Sequence, residues 1–363
     1  TIRYNKIHKN GGIQGGGGIA LNDGAENYMV ENNLIAGNFG RFNGGGIQHR
    51  GYIPGNNMIQ NNRILFNEVF FGAVVAQAGD GAGIFIGGEG AGGEGAGNVT
   101  IDSNLIQGNM SGAGNGGGIR AFAINGADIE LSPGDDTNWY TLDVTNNIIV
   151  NNVAGLSGAG ISLQDAARAT IVHNTIANND TTSTSVQAFA VGQPNSTPQP
   201  SGVVSAPHST PLAGITGFGE TFSDPVLVNN IIYQNRSYFN DASLNGGAGG
   251  LAENPNGLYW DLHVLESVAS GDPQLSPDYC LLTNGSNQAT GDNYPGTNVV
   301  IGGGSNGPGF LAGYVNTIQS TTVVDEGGNN INVRFTPLLY QDENATSDYH
   351  IADGGAFNAG GTP

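Results

Sequence analysis

Residues 144–179 read VTNNIIVNNVAGLSGAGISLQDAARATIVHNTIANN and contain one complete repeat unit and the start of the next. The pattern N-x-I-x-x-N occurs at Asn147 and again at Asn174, with a β-branched residue three positions before each first Asn. A Gly-rich turn and a G-A-G-I element ending at Ile161 lie between the two copies. Copies of the pattern begin at Ile2, Val30, Ile59, Ile101, Val144, Ile171 and Leu227. The G-[GA]-G-I element ends at Ile19, Ile47, Ile84, Ile119 and Ile161, with a degraded version expected at Ile215.

This spacing predicts an all-β solenoid. Short β-rich runs between Gly and Asn turns, repeated at a near-constant period, are typical of units that bury their apolar faces only by stacking. The spacing of five between apolar residues does not follow the helical periodicity, and Asn and Gly are poor helix formers. Stacked Asn amides both donate and accept, which predicts Asn ladders along the stack. The Asn residues are also expected to take left-handed backbone angles at the corners.

The pattern also resembles a known family, the right-handed parallel β-helix repeat proteins of bacteria, over about residues 1–236. The resemblance implies a pectate-lyase-like right-handed solenoid of the Gly/Asn-rich type seen in large secreted bacterial proteins. We expect about seven regular coils over 1–236, with insertions at about 68–98, 122–140 and 180–225, and irregular coils with a closing segment over 237–363. Because the chain opens inside a repeat, we expect it to be part of a longer protein.

Composition narrows the possible partners. Thirty acidic residues against ten basic ones give a formal charge of −20, which repels nucleic acid and anionic membranes. The single cysteine, Cys280, excludes a disulfide framework within the chain. No long apolar run indicates a transmembrane segment. An extracellular or cell-surface location is therefore expected, with polysaccharide or other domains and subunits as partners.

Alternation along the Gly-rich strands predicts an outward row that could bind glycans. Aromatic rings stack on sugar faces and arginine binds carboxylates, so we expect this row to be the binding surface. Its members are Gln48, Arg50, Phe85, Arg120, Phe122 and Gln164. The alternative is an ordinary solvated sheet face. The same alternation places His49 inward, away from any catalytic role.

Two acidic loops are candidate Ca²⁺ sites, because Ca²⁺ takes six to eight oxygen ligands. They contain Asp80, Glu89 and Glu94, and Asp135 and Asp136. The alternative is that these loops are simply solvated. Ca²⁺ is the one cofactor that the sequence suggests.

A second outward row flanks the pattern Ile residues and is apolar. A stripe of this size is larger than a soluble monomer normally exposes, so we expect a docking face covered by an insertion, by the C-terminal segment or by a partner. Its members are Leu34, Leu65, Leu105, Ile148, Ile231 and Tyr233. The alternative is that local twist turns some of these side chains inward.

Two functions follow from these patterns. The first is a non-catalytic extracellular scaffold or surface module that contacts glycans or partner chains. The second is a lyase, hydrolase or epimerase acting on an acidic polysaccharide. A glycosidase needs two carboxylates at a defined separation, and the outward rows contain no obvious pair. The sequence therefore favours the first function.

Overall fold

The computed structural model describes residues 1–70, 79–90, 92–265, 273–283, 294, 296–301, 307–312, 319–324, 330–335 and 348–351. The chain passes repeatedly through four sheets, and each passage, which we call a coil, adds one short strand to each sheet. The neighbouring strands within sheets 1, 2 and 4 are parallel. The chain is therefore a parallel β-solenoid.

The four sheets are numbered in the order in which the chain meets them. Sheet 1 contains Ile2–Arg3, Met29–Glu31, Asn57–Gln60, Val99–Asp102, Leu142–Thr145, Ala169–Val172, Val226–Val228 and Pro277–Asp278. Sheet 2 contains Lys6–His8, Leu34–Ala36, Arg63–Leu65, Leu105–Gln107, Ile148–Val150, Thr175–Ala177, Ile231–Tyr233, Leu281–Leu282 and Val299–Val300. Sheet 3 contains Gly11–Gly12, Phe39–Gly40, Glu68–Val69, Met110–Ser111, Val153–Ala154, Asp180–Thr181, Arg236–Asp241 and, antiparallel to the last of these, Gly250–Glu253. Sheet 4 contains Ile19–Asn22, Ile47–Arg50, Ile84–Gly87, Ile119–Phe122, Ile161–Gln164, Val203–Ser205 and Leu262–Val264.

The remaining elements are short. The α-helices are Ala127–Leu131, Thr210–Ala213 and Leu244–Gly247, and the 3-10 helices are Asp136–Asn138 and Val186–Ala188. Two antiparallel pairs join Phe310–Ala312 to Asp348–Ile351 and Gln319–Val324 to Asn330–Phe335. Within the described ranges, none of the helices has the length and apolar character needed to cross a bilayer. The predicted closing segment lies outside the described residues beyond Asp348–Ile351.

The pattern Ile residues stack in register inside the solenoid. Ile64 pairs with Ile106, Ile106 with Ile149 and Ile149 with Ile176, and all four are fully buried. Each coil alone would leave this apolar face in water, so the hydrophobic effect acts only when coils stack. The core is accordingly one narrow column along the axis.

Two Asn ladders lie on either side of sheet 2. In the first, the Asn104 amide donates to Oδ1 of Asn147 at 3.0 Å, and the Asn147 amide donates to Oδ1 of Asn174 at 3.0 Å. The backbone N–H of each Asn donates to the same oxygen, as Asn104 does at 2.9 Å. These side chains are buried, and a buried amide is tolerated only when its hydrogen bonds are made. The predicted Asn ladders are present.

The prediction that the ladder Asn residues take left-handed backbone angles was wrong. The residue directly before each ladder Asn takes that conformation instead, as at Asn146 with φ 57° and His173 with φ 60°. This division has a simple reason: the turn residue redirects the chain from one sheet to the next, which leaves the following Asn free to aim its amide along the stack.

One residue interrupts the first ladder. Cys280 takes the place of Asn after Asn230, and its Sγ accepts from the Asn230 backbone N–H at 3.4 Å and its amide at 3.8 Å. The ladder resumes beyond it, because the Cys280 N–H donates to Oδ1 of Asn298 at 2.9 Å. Thiol sulfur is a weak acceptor, so Cys280 is the weakest rung among the described residues of this ladder.

The segment 180–225 is not a single insertion. Its residues 203–205 pair in register with Ile161 and its neighbours, so sheet 4 continues through it. The degraded G-[GA]-G-I copy predicted at Ile215 was therefore wrong, and Val203 occupies that register position. Ile215 instead packs with Ile129, Trp139, Leu212 and Phe218 in a cluster outside the core. This cluster joins residues 206–225, which follow the sheet 4 strand Val203–Ser205, to the insertion at 122–140.

The predicted inward position of His49 is observed. It lies in register between Leu21 and Ile86 and is fully buried. The Tyr28 hydroxyl is 2.9 Å from Nδ1, and Nε2 is 3.0 Å from the Ala96 carbonyl oxygen. Because Nε2 faces a carbonyl, it carries the hydrogen and Nδ1 accepts from Tyr28. Burial lowers the pKa of His49 to about 4.

Candidate functional site

A polar cleft of about 550 Å³ lies against the outer face of sheet 4. Its walls are the outward residues of several sheet 4 strands and the turns that precede them. The described lining residues are Gln14, Phe42, Asn43, Arg50, Asp80, Phe85, Gly88, Glu89, Gly90, Asn115, Arg120, Phe122, Gln164 and Gln187. They come from consecutive coils, so the cleft runs along the stacking direction.

Five of the six residues of the predicted glycan row line this cleft: Arg50, Phe85, Arg120, Phe122 and Gln164. They form two columns, because Phe85 pairs with Arg120 and Phe122 pairs with Gln164 in the sheet register. The sequence thus placed these side chains on one face correctly. Their role in binding stays a prediction.

Gln48, the sixth residue of the row, is not among the described lining residues. Only 3% of it is exposed, and a Cβ at Gly15 would lie 2.4 Å from its Nε2. The Gly-rich turn of the preceding coil, which contains Gly15, therefore covers this side chain. Alternation predicts which face a side chain takes, but a covering turn can still remove it from solvent. Gln48 is thus a poor candidate for ligand contact.

Phe85 is also nearly buried, at 5% exposure. Its ring lies over Gly87, where a Cβ would be 2.4 Å from Cε1 of the ring. Glycine at 87 therefore makes room for the ring to lie flat along the strand. Phe122 is half-buried and Arg50 is exposed, so these two offer more surface to a ligand.

Arg120 is fixed within the wall of the cleft. Its Nη1 donates to Oγ of Ser162 and its Nη2 to Oε1 of Gln164, both at 2.8 Å. Its Nε lies 3.8 Å from Oδ2 of Asp80, and its guanidinium is 5.5 Å from the centre of the Phe122 ring. Burial lowers the pKa of Arg120, an effect opposed by Asp80, and arginine remains a cation at neutral pH. Its charge is therefore partly neutralised inside the wall.

A polar row in the turns before sheet 4 was not anticipated from the sequence. Oδ1 of Asn43 accepts from the Asp80 N–H at 3.0 Å, Oδ1 of Asp80 accepts from the Asn115 N–H at 2.6 Å, and Oδ1 of Asn115 accepts from the Ser157 hydroxyl at 2.7 Å. Each of these residues precedes a glycine with φ between 61° and 67°. A motif [NDS]-G-[GA]-G-I would have revealed the row.

The predicted Ca²⁺ residues do not lie together as a group. Asp80 and Glu89 line the cleft, whereas Asp135 caps a 3-10 helix by accepting from the Thr137 N–H at 3.1 Å. Glu94 and Asp136 are exposed. Among the described residues, no group of three or more His, Cys, Asp or Glu side chains could hold a metal ion. Ca²⁺ binding stays a prediction.

The predicted docking face is partly covered. Leu65 and Tyr233 are buried, while Leu34, Leu105, Ile148 and Ile231 are half-buried. At one end, Ile301 and Phe310 pack on the cluster that contains Tyr233 and Ile231, and the rings of Tyr233 and Phe310 are 6.4 Å apart. At the other end, Leu34, Leu65, Leu105, Ala36 and Phe66 form their own cluster. Part of the C-terminal segment therefore covers this row, and docking of a partner stays a prediction.

A buried histidine, His208, holds residues 206–225, which follow the sheet 4 strand Val203–Ser205. Nδ1 of His208 is 3.3 Å from a carboxylate oxygen of Asp165. Its Nε2 is 4.0 Å from a carboxylate oxygen of Glu220. Oδ1 of Asp165 also accepts from the Ser209 N–H at 2.7 Å. Burial alone would lower the pKa of His208, but the hydrogen bond to Asp165 and the nearby Glu220 carboxylate raise it. These residues fix the segment against the solenoid and are not among the described lining residues of the cleft.

Comparison with known proteins gives no family for this chain: no family model, no curated protein and no solved structure matches it. The class of protein is therefore defined by the fold, a parallel β-solenoid with Asn ladders.

Proposed function

We propose that this chain is a non-catalytic extracellular β-helix module whose sheet 4 cleft binds glycans. The observation that carries the proposal is the cleft itself. It combines aromatic rings at Phe42 and Phe122, amides at Gln14, Gln164 and other positions, and two arginines in one groove. Concave sites with a few well-placed polar groups are the usual form of small-ligand sites. The run of the cleft across coils suits an extended chain.

We also propose that the solenoid is right-handed and of the pectate-lyase-like type. The N-x-I-x-x-N and G-[GA]-G-I patterns support this, as does the strong preference of parallel β-crossovers for right-handed connections. The excess of acidic residues supports an extracellular or cell-surface location.

The test is binding to a glycan array, with detection of products, for the parent chain and for Arg50→Ala/Phe122→Ala. Both side chains are accessible, and both lie at the ends of sheet 4 strands. We expect the double variant to bind at least about tenfold more weakly, equivalent to about 1.4 kcal/mol. Matched controls are Arg3→Ala, on sheet 1, and Phe39→Ala, on sheet 3, which should bind as the parent does.

A second function is favoured by one specific observation. Asp80 and Glu89 both line the cleft, and glycosidases act through a pair of carboxylates. Burial raises the pKa of Asp80, while Arg120 and hydrogen bonds from Asn115 oppose the shift. A raised pKa suits a general acid. Shortened or unsaturated products on the array would support this carbohydrate-active enzyme, and binding without products would support the proposed module.

A further inference from the structure

We propose that the cleft recognises the hydroxyl groups of a neutral glycan, with the Asp80 carboxylate as an acceptor in its wall, and not the carboxylates of an acidic polysaccharide. This inference rests on the proposed glycan-binding function and specifies its ligand class. Three features of the cleft lead to it.

The first feature is that Arg120 has little to offer a ligand carboxylate. Recognition of a carboxylate by arginine typically uses two parallel N–H donors of the guanidinium. In Arg120, Nη1 and Nη2 already donate to Ser162 and Gln164 at 2.8 Å each. Only 5% of the residue is exposed. Nη1 and Nη2 each keep one further N–H, but a residue this buried could present two parallel donors to a ligand carboxylate only by moving its guanidinium, which would weaken the hydrogen bonds that hold the wall.

The second feature is an acceptor beside a donor without a partner. Oδ1 of Asp80 accepts from Asn115, whereas Oδ2 has no hydrogen bond among those found for the described residues. Nε of Arg120 is buried and has no hydrogen-bond partner in the described part of the chain. It lies 3.8 Å from Oδ2, beyond hydrogen-bond distance. A hydroxyl can donate to Oδ2 and, after a small shift of the Arg120 side chain, accept from Nε. A carboxylate has no hydrogen to donate to Oδ2.

The third feature is the balance of charge. The described lining residues include two cations, Arg50 and Arg120, and two acidic side chains, Asp80 and Glu89. The described lining thus has no formal excess of positive charge, and it belongs to a chain with a formal charge of −20. Long-range attraction therefore does not favour an anionic polymer. A neutral sugar matches this lining better than an anionic one does. Its hydroxyls can donate to the carboxylates, and the apolar faces of its rings can pack on the phenyl rings.

Asp80→Asn separates the two ligand classes because its expected effects have opposite signs. The amide keeps an oxygen for Asn115 and places an NH₂ group where Oδ2 was. Recognition of neutral hydroxyls then loses its acceptor, and we expect affinity to fall about tenfold. Recognition of a uronate would instead gain affinity, because a negative charge has been removed. Glu89→Gln, at the exposed rim, also removes a negative charge from the cleft. It would therefore strengthen binding of a uronate if the cleft recognised one, and we expect no such gain.

The measurement is calorimetric titration at pH 7 with neutral oligosaccharides, such as xylohexaose and cellohexaose, and with hexagalacturonate, using the full chain. The strongest neutral and acidic binders from the array are titrated as well. Each titration is repeated at low and high salt, because exposed charge pairs are screened by salt and neutral contacts are not. Thermal melting of each variant identifies any loss of fold, and Glu89→Gln gives an independent answer if Asp80→Asn does not fold.

Salt-insensitive binding of a neutral glycan that Asp80→Asn weakens supports the inference. The inference is overturned if a uronate binds in a salt-sensitive way and either variant strengthens that binding. The proposed glycan-binding function would still hold in that case. Absence of binding to every glycan on the array overturns the proposed function, and the inference with it.

Discussion

His49 should make the stability of the solenoid depend on pH. It is a buried, neutral imidazole in the inward column of sheet 4, and burial lowers its pKa to about 4 from 6.5. A histidine whose folded pKa is lowered binds protons more readily in the unfolded chain. Stability is therefore fully present above pH 6.5, falls as the pH drops from 6.5 towards 4, and loses nothing further from this residue below 4.

The size of the effect follows from the two pKa values. Lowering the pKa of His49 from 6.5 to about 4 corresponds to about 3 kcal/mol of unfolding free energy. Between pH 7 and pH 5 the same linkage gives a loss of about 2 kcal/mol. This range is useful because it stays above the isoelectric point of about 4.3. The loss is a substantial part of a typical total stability of about 5–15 kcal/mol.

The measurement is urea unfolding at pH 7 and pH 5 for the parent and for Tyr28→Phe/His49→Leu. Leucine matches the register neighbour Leu21, and phenylalanine at 28 avoids leaving a buried hydroxyl unpaired. Carboxylates elsewhere titrate equally in both chains, so the difference between the two pH slopes isolates the His49 contribution. His8→Leu, at an exposed position, is the matched control. Equal slopes in parent and double variant would refute the assignment of a buried neutral His49.

Two further predictions concern the core and the ladder. Ile149→Asp should prevent folding, because a carboxylate buried without a partner costs several kcal/mol. The control Thr175→Asp, which faces outward on the adjacent strand of sheet 2, should fold. A parent-like melting temperature for Ile149→Asp would contradict the stacked core. Cys280→Asn should raise the free energy of unfolding by about 1 kcal/mol, because an amide restores the hydrogen bonds between Asn230 and Asn298. Cys280→Ala serves as its control and should be destabilised, and a lower melting temperature for Cys280→Asn than for the parent would show that the amide does not fit.

The repeat allowed the core and the ladders to be predicted because both depend on spacing alone. Ile149 and Asn147 recur at fixed positions in each coil, and stacking then fixes what they contact. The sheet 4 strand within the segment 180–225 could not be predicted from spacing. There the Gly-rich turn is lost, and Val203 takes the register position while Ile215, which carries the expected residue type, packs elsewhere. Residue type predicted the wrong strand because register depends on the whole path of the chain.

The cleft shows the same limit at the level of single side chains. Alternation placed Arg120 and Phe122 on one face, yet it could not predict that Arg120 is nearly buried and bonded to Ser162 and Gln164. That outcome depends on side chains one coil away and on Asp80, which belongs to a turn that was interpreted from sequence as a solvated or Ca²⁺-binding loop. In a solenoid, chemistry arises between coils, since residues about 40 positions apart in sequence become neighbours along the stack. The ligand class that we propose for the cleft therefore rests on what neutralises Arg120, and a search for arginine alone would have favoured an acidic glycan.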